Sequence, residues 1–274
     1  AAGIVAGPLQ GIPVSIKDLY GVAGLPVFAG SPRALPESWQ REGPVVQRLR
    51  RQVPVVVGKT HTVEFAFGGL GANAHWPVPW NPRDRKVHRA PGGSSSGAGV
   101  SLVEGTALLA FGTDTAGSVR IPASFTGTVG LKTTWGRWST DGIVPLSPSL
   151  DTAGILTRTV DDAAFAFSAL DDAPVPACDD LLGCRVGVAR TFFFDDLSPG
   201  ISNAIDRALK AIEAAGARLS DLDLPGAAEL YELYSRGGIV APELYQFLKR
   251  QLPDWIDTLD PRVKRRIDIR MLRF

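Results

Sequence analysis

Cysteine is nearly absent. The 274 residues carry two, Cys178 and Cys184. Two cysteines make no disulfide framework, so two free thiols in a reducing cytoplasm are the expected state, with a single Cys178–Cys184 bridge as the alternative. Charge of one sign is also missing. Lysine and arginine number 29 against 28 acidic residues, a net charge of +1. That balance offers no basic surface for a nucleic-acid backbone and no acidic tail for a basic partner. The longest apolar stretches, residues 53–57 and 107–111, are far too short to span a bilayer. The first residues show no charged start followed by an apolar run, so no signal peptide is read there. Three histidines lack metal-ligand spacing, and no cysteine neighbours them. The lone methionine is Met271 and position 1 is Ala. A trimmed chain or a piece of a longer protein is therefore expected.

What is present is a globular composition, 45% hydrophobic and 21% charged, with 30 glycines and 21 prolines. Short apolar segments alternate with amphipathic ones. Strands are expected at residues 12–16, 53–57 (a buried, β-branched one), 184–189 and 219–224. Helices are expected at 45–51 and 160–170, and residues 100–109 read as a helix running into a strand. The clearest helix spans 198–215, with Ser198 as N-cap, Pro199 in the first turn, an apolar stripe of Ile201, Ile205, Leu209 and Ile212, and Gly216 as its stop. Strand–helix–strand order implies an α/β layer fold with parallel pairing. Gly- and Ser-rich turns crowd between residues 68 and 154, where such sheets bind ligands.

Three segments carry candidate chemistry. Gly92-Gly93-Ser94-Ser95-Ser96-Gly97-Ala98-Gly99 reads as a linker, a phosphate loop or a nucleophile elbow centred on Ser95. The Gly-Lys-Ser/Thr ending of a phosphate loop is missing. The elbow needs a later histidine, whereas His61, His75 and His88 all precede Ser95. In Gly112-Thr113-Asp114-Thr115-Ala116-Gly117-Ser118-Val119-Arg120, the small residues before Ser118 allow backbone N–H groups to converge on an anion. An ordinary loop with a capping serine fits equally. In Gly11-Ile12-Pro13-Val14-Ser15-Ile16-Lys17-Asp18, Lys17 ends an apolar strand. It is either a solvated strand end or a buried amine whose lowered pKa suits it to act as a base.

The three segments together, in this order and with 24 residues from Ser94 to Ser118, closely resemble the amidase signature family. Similarity continues through Gly58-Lys59-Thr60, Glu64-Phe65-Ala66, Asn81-Pro82, Val129-Gly130-Leu131-Lys132 and Ser149-Leu150-Asp151-Thr152, and more loosely to about Pro225. The resemblance implies one amidase-type domain over 1–274, lacking an N-terminal helical stretch and a large C-terminal part. Its fold would be a mixed, largely parallel central sheet covered by helices on both faces. It implies a catalytic triad of Ser118 as nucleophile, Ser94 after a cis bond from Gly93, and Lys17 as base. It also implies an oxyanion hole from the N–H groups of Thr115, Ala116 and Gly117. Asp114 and Arg120 would pair to shape the turn, with Ser95 and Ser96 as supporting hydroxyls. Ala116 stands where the family prefers glycine. His75 and Trp76 are expected near the substrate pocket. The implied activity is hydrolysis of a carboxylic amide without metal or organic cofactor, with a small-molecule substrate, no nucleic acid or membrane, and room for a homodimer. The alternative within the family is the glutaminase subunit of a tRNA-dependent amidotransferase.

Overall fold

In the computed structural model, residues 7–171, 173, 175 and 180–268 are described. They form two compact units, residues 1–175 with 239–274, and residues 176–238. Cys178 and Met271 lie outside the described residues, and Cys184 is an exposed free thiol.

The larger unit is built on a five-stranded sheet of β1 (Pro13–Lys17), β2 (Val55–Thr60), β3 (Leu109–Asp114), β4 (Val129–Lys132) and β5 (Thr152–Thr157). The spatial order is β2-β1-β3-β5-β4. β1 runs parallel to both β2 and β3, while β5 runs antiparallel to β3 and β4. The sheet is therefore mixed, with a parallel half that holds the candidate residues.

Side-chain alternation shows that both faces are covered. On one face, Val14, Ile16, Leu109, Phe111 and Ile155 join a large core with Val46 and Leu49 of α1 (Pro44–Arg51). On the other face, Ala110 and Leu156 pack with Ala98 and Leu102 of α2 (Ser96–Val103) and Ala123 of α3 (Arg120–Thr126). The first core also takes Ala166 and Leu170 of α4 (Val160–Asp171). The Ser15 and Ser101 hydroxyls, 2.9 Å apart, tie β1 to α2 where no apolar contact is made. Small residues let α2 sit close: a Cβ added to Gly112 would lie 2.7 Å from Ser95 Oγ, so β3 must be bare at that point.

β2 departs from the expectation of a buried strand at 53–57. It starts at Val55, and Val55 and Val57 are 52% and 48% exposed. The reason is tertiary: β2 is an edge strand, so only the alternate residue Val56 reaches the core. Val53 is instead drawn into the turn that ends α1, at φ +57°, with its N–H donating to the Arg50 carbonyl.

The smaller unit pairs β6 (Arg185–Val188) in parallel with β7 (Arg218–Asp221), joined through α5 (Pro199–Ala214). Gly216 follows α5 at φ +101°, a conformation open to glycine. Ser198 occupies the N-cap position but makes no side-chain capping bond, and the α5 stripe is only partly covered, with Ile201 54% exposed. The unit also holds α6 (Ala227–Ser235). The chain then returns to the larger unit as α7 (Val240–Gln251) and α8 (Pro261–Ile267), whose Leu244, Leu248 and Val263 complete the first core. Among the described residues no helix is long and apolar enough to cross a membrane.

Candidate active site

Lys17 and Asp114 are the last residues of β1 and β3, so the candidate residues gather at the C-terminal edge of the parallel strands. Lys17 is wholly buried. Its Nζ lies 2.7 Å from Ser94 Oγ and 2.8 Å from Thr113 Oγ1. Burial pushes its pKa from 10.5 down to about 7, against the opposing pull of the Asp114 and Asp151 carboxylates. The amine is therefore divided between its two protonation states near neutrality. The solvated strand end is ruled out by this placement.

The serine block is a packed turn, not a linker. The Gly93–Ser94 peptide bond is cis, and Ser94, Ser95 and Ser96 are all fully buried. A Cβ on Gly93 would lie 2.7 Å from the Gly71 nitrogen and 2.9 Å from the Gly68 carbonyl, which is why glycine stands there. The Ser94 carbonyl accepts from Val63 N–H at 3.2 Å. Ser95 Oγ accepts from Thr113 N–H and donates to the Thr113 carbonyl, both at 3.3 Å, so it satisfies the end of β3. A hydroxyl spent on backbone in this way is not a nucleophile, which argues against the elbow. Ser96 Oγ donates to the Ser94 carbonyl at 3.4 Å.

Ser118 is 8% exposed and sits just before α3, its carbonyl accepting from Ser95 N–H at 3.2 Å. Asp114 builds the turn around it. Its carboxylate takes Gly117 N–H at 2.8 Å, Val119 N–H at 3.1 Å and the Arg120 guanidinium through Nε at 3.0 Å and a terminal nitrogen at 2.9 Å. Burial works against its ionisation, but these donors hold its pKa below the usual carboxylate value. One member of the expected oxyanion set has a partner within the turn. Gly117 N–H is committed to Asp114, so its contribution is to hold the turn. The N–H groups of Thr115 and Ala116 find no acceptor among the described residues. The positive φ falls on Gly117, at +119°, and Ala116 is unstrained in place of the family's glycine.

Three roles were not read from the motifs. Thr113 accepts from Lys17, and Asp151 accepts from the Thr115 hydroxyl at 2.5 Å. Glu64, wholly buried in the turn behind Ser94, accepts from Asp260 N–H at 2.6 Å and lies 3.2 Å from His75 Nε2. His75 is thus turned to Glu64. Trp76 lines a cavity of about 440 Å³ with Asp18, Lys59 and His61, a cavity to which neither serine nor Lys17 contributes. A buried lone carboxylate leaves no periodic trace in a sequence, which is why Glu64 had only its place in the family similarity.

Glu64 gives a stability prediction. Burial raises its pKa from 4.5 to about 8. The folded protein then keeps a proton that the unfolded chain releases between those values, so the contribution of Glu64 to stability is greatest below pH ~4.5 and falls as pH rises toward 8. The expected slope is about 1.4 kcal/mol per pH unit at most. Glu64→Gln keeps the acceptor for Asp260 N–H and should flatten that part of the slope in urea unfolding between pH 5 and 8. An unchanged slope refutes a protonated Glu64.

The sequence model of the family described as Amidase matches residues 1–269. This chain belongs to the amidase family. Among amidase relatives, it is 59% identical over 265 residues to the 2-amino-5-chloromuconic acid deaminase of Comamonas testosteroni, covering 95% of this chain and 57% of the deaminase. It is 39% identical over 276 residues to an amidase of Pseudomonas putida, covering 94% and 57%. Among solved structures, a crystal structure of amidase superposes with a TM-score of 0.86 at 36% identity, over 96% of this chain and 59% of that one. A glutamyl-tRNA(Gln) amidotransferase subunit from Thermotoga maritima superposes with a TM-score of 0.79 at 29% identity, over 97% and 60%. The chain thus spans 57% of the length of both curated relatives it is compared with.

Proposed function

We propose that the protein carrying this chain hydrolyses a carboxylic amide to an acid plus ammonia or an amine through an acyl-enzyme on serine, with residues 1–274 as one amidase-type domain. The observation that carries the reading is the buried Lys17 amine 2.7 Å from Ser94 Oγ, beside a turn that presents Ser118. Ser118 Oγ attacks the carbonyl carbon, and its proton passes through the Ser94 hydroxyl to neutral Lys17 Nζ. The carbonyl oxygen gains charge, and the N–H groups of Thr115 and Ala116 receive it. The ammonium of Lys17 returns the proton through Ser94 to the departing nitrogen, which leaves as ammonia or an amine. Water then attacks the Ser118 ester by the same relay, releasing the acid and restoring Ser118. No metal or organic cofactor has a part in these steps. Two cysteines in the whole chain support a cytoplasmic setting.

The 59% identity to the deaminase favours a substrate that loses ammonia and carries carboxylates, as a muconate does. The amidotransferase reading is weaker, since a glutamyl-tRNA(Gln) amidotransferase A subunit of Acidothermus cellulolyticus is 38% identical to this chain against 59% for the deaminase. Ammonia release tests both. The protein carrying this chain should liberate ammonia from simple carboxylic amides, among them amides of dicarboxylic acids, without a partner. Turnover of glutamine alone, stimulated by an added partner protein and charged tRNA, supports the amidotransferase reading instead.

A further inference from the structure

Asp151 stands directly before β5, opposite the turn that carries Ser118. Its carboxylate accepts from Leu146 N–H at 2.9 Å and Ser147 N–H at 3.0 Å through one oxygen, and from the Thr115 hydroxyl at 2.5 Å through the other. A carboxylate only accepts, so the Thr115 hydroxyl must donate, and this fixes the rotamer and the backbone of Thr115. The Thr115 N–H, like those of Ala116 and Ser118 in the same turn, finds no acceptor among the described residues.

Asp151 also acts toward the amine. Two carboxylates act electrostatically on Lys17, those of Asp114 and Asp151. Asp114 is paired in bidentate fashion with Arg120 from α3, which offsets its charge. Asp18, the residue after β1, is paired with Lys59 of β2 at 2.8 Å. Asp151 has no such partner: no arginine or other lysine pairs with it among the described residues. Burial raises its own pKa, and its three donors and Lys17 oppose that rise.

We propose that Asp151 is a positioning residue for the acyl-transfer centre, holding the Thr115 N–H toward the developing oxyanion through the Thr115 hydroxyl. This rests on the hydrolytic reading given above. Asp151 acts through its neighbours and touches no reacting atom.

The test uses three variants of the protein carrying this chain, with steady-state kinetics and titration of Lys17 by ¹⁵Nζ NMR. Asp151→Asn should lower kcat by roughly 10–100-fold, the scale of a misplaced catalytic group, with KM little changed. It should also move the Lys17 titration midpoint to lower pH, because a negative charge that favours the ammonium is gone. Thr115→Val removes the hydroxyl but keeps the Asp151 charge. It should lower kcat similarly and leave the midpoint in place, and Thr115→Ser should restore kcat. A folded Asp151→Asn protein with full kcat overturns the proposal, as does Thr115→Val with full kcat. If Asp151→Asn does not fold, the two Thr115 variants decide it. Failure of the hydrolytic reading is seen separately, as full turnover by Ser118→Ala.

Discussion

Ser118→Ala is expected to abolish turnover, with kcat reduced by roughly 10⁴–10⁶-fold, the range found when a nucleophile that works within a triad is removed. The reason lies in how the hydroxyls of this site are spent. Ser95 Oγ is bound to both backbone groups of Thr113, and Ser96 Oγ to the Ser94 carbonyl. Ser94 Oγ is held by Lys17. Ser118 is the serine on the turn that Asp114 closes, next to the N–H groups of Thr115 and Ala116. In the wild-type protein a slow ester or phosphonate probe should add its mass to the peptide containing Ser118. Thermal unfolding of Ser118→Ala should match the wild type, since no stabilising bond of the turn uses that side chain. Label on Ser94 or Ser95, or a Ser118→Ala enzyme with substantial kcat, overturns the assignment.

Lys17→Arg should lose roughly 10²–10⁴-fold in kcat/KM although it preserves a positive charge, that being the usual worth of general acid–base help. Guanidinium does not deprotonate in the working range, and its planar fork does not fit the space between Ser94 and Thr113 that holds a single nitrogen. The wild-type pH profile follows from burial. At its ordinary pKa of 10.5, only about one amine in three thousand would be neutral at pH 7. With the value lowered to about 7, the base form rises through half occupancy there. The logarithm of kcat/KM should climb with slope one below pH ~7 and level off above it, because activity requires the form that has lost its proton. A limb that rises on toward pH 10 shows an unperturbed lysine. A Lys17→Arg enzyme of near-normal activity assigns the side chain a fixed-charge role and moves the base elsewhere.

The chemistry-bearing residues were legible in the sequence because each sits in a short block whose neighbours are constrained by backbone contact. Gly93 must be glycine where it meets Gly71 and Gly68, and Asp114 must stand where it can collect the N–H groups of Gly117 and Val119. Such demands act over a few residues and so leave a pattern along the chain. Helices α1, α4 and α5 were legible for the same local reason, through their periodicity and end residues.

What only the tertiary structure decided involves partners far apart in sequence. Strand β2 is as apolar as a buried strand, yet its place at the sheet edge leaves Val55 and Val57 half exposed. The state of Lys17 was open, since an apolar strand can end in solvent or in a core. Closure of β1 against β3 and of the Ser94 turn against β1 removes it from water, and that desolvation makes its amine a usable base. The same closure brings Thr113 and Asp151 behind it, 96 and 134 positions along the chain, and sets Glu64 against Asp260. Local spacing determines which turns can form. Burial and charge depend on what the folded chain places around a group, and no pattern of neighbours in sequence encodes that.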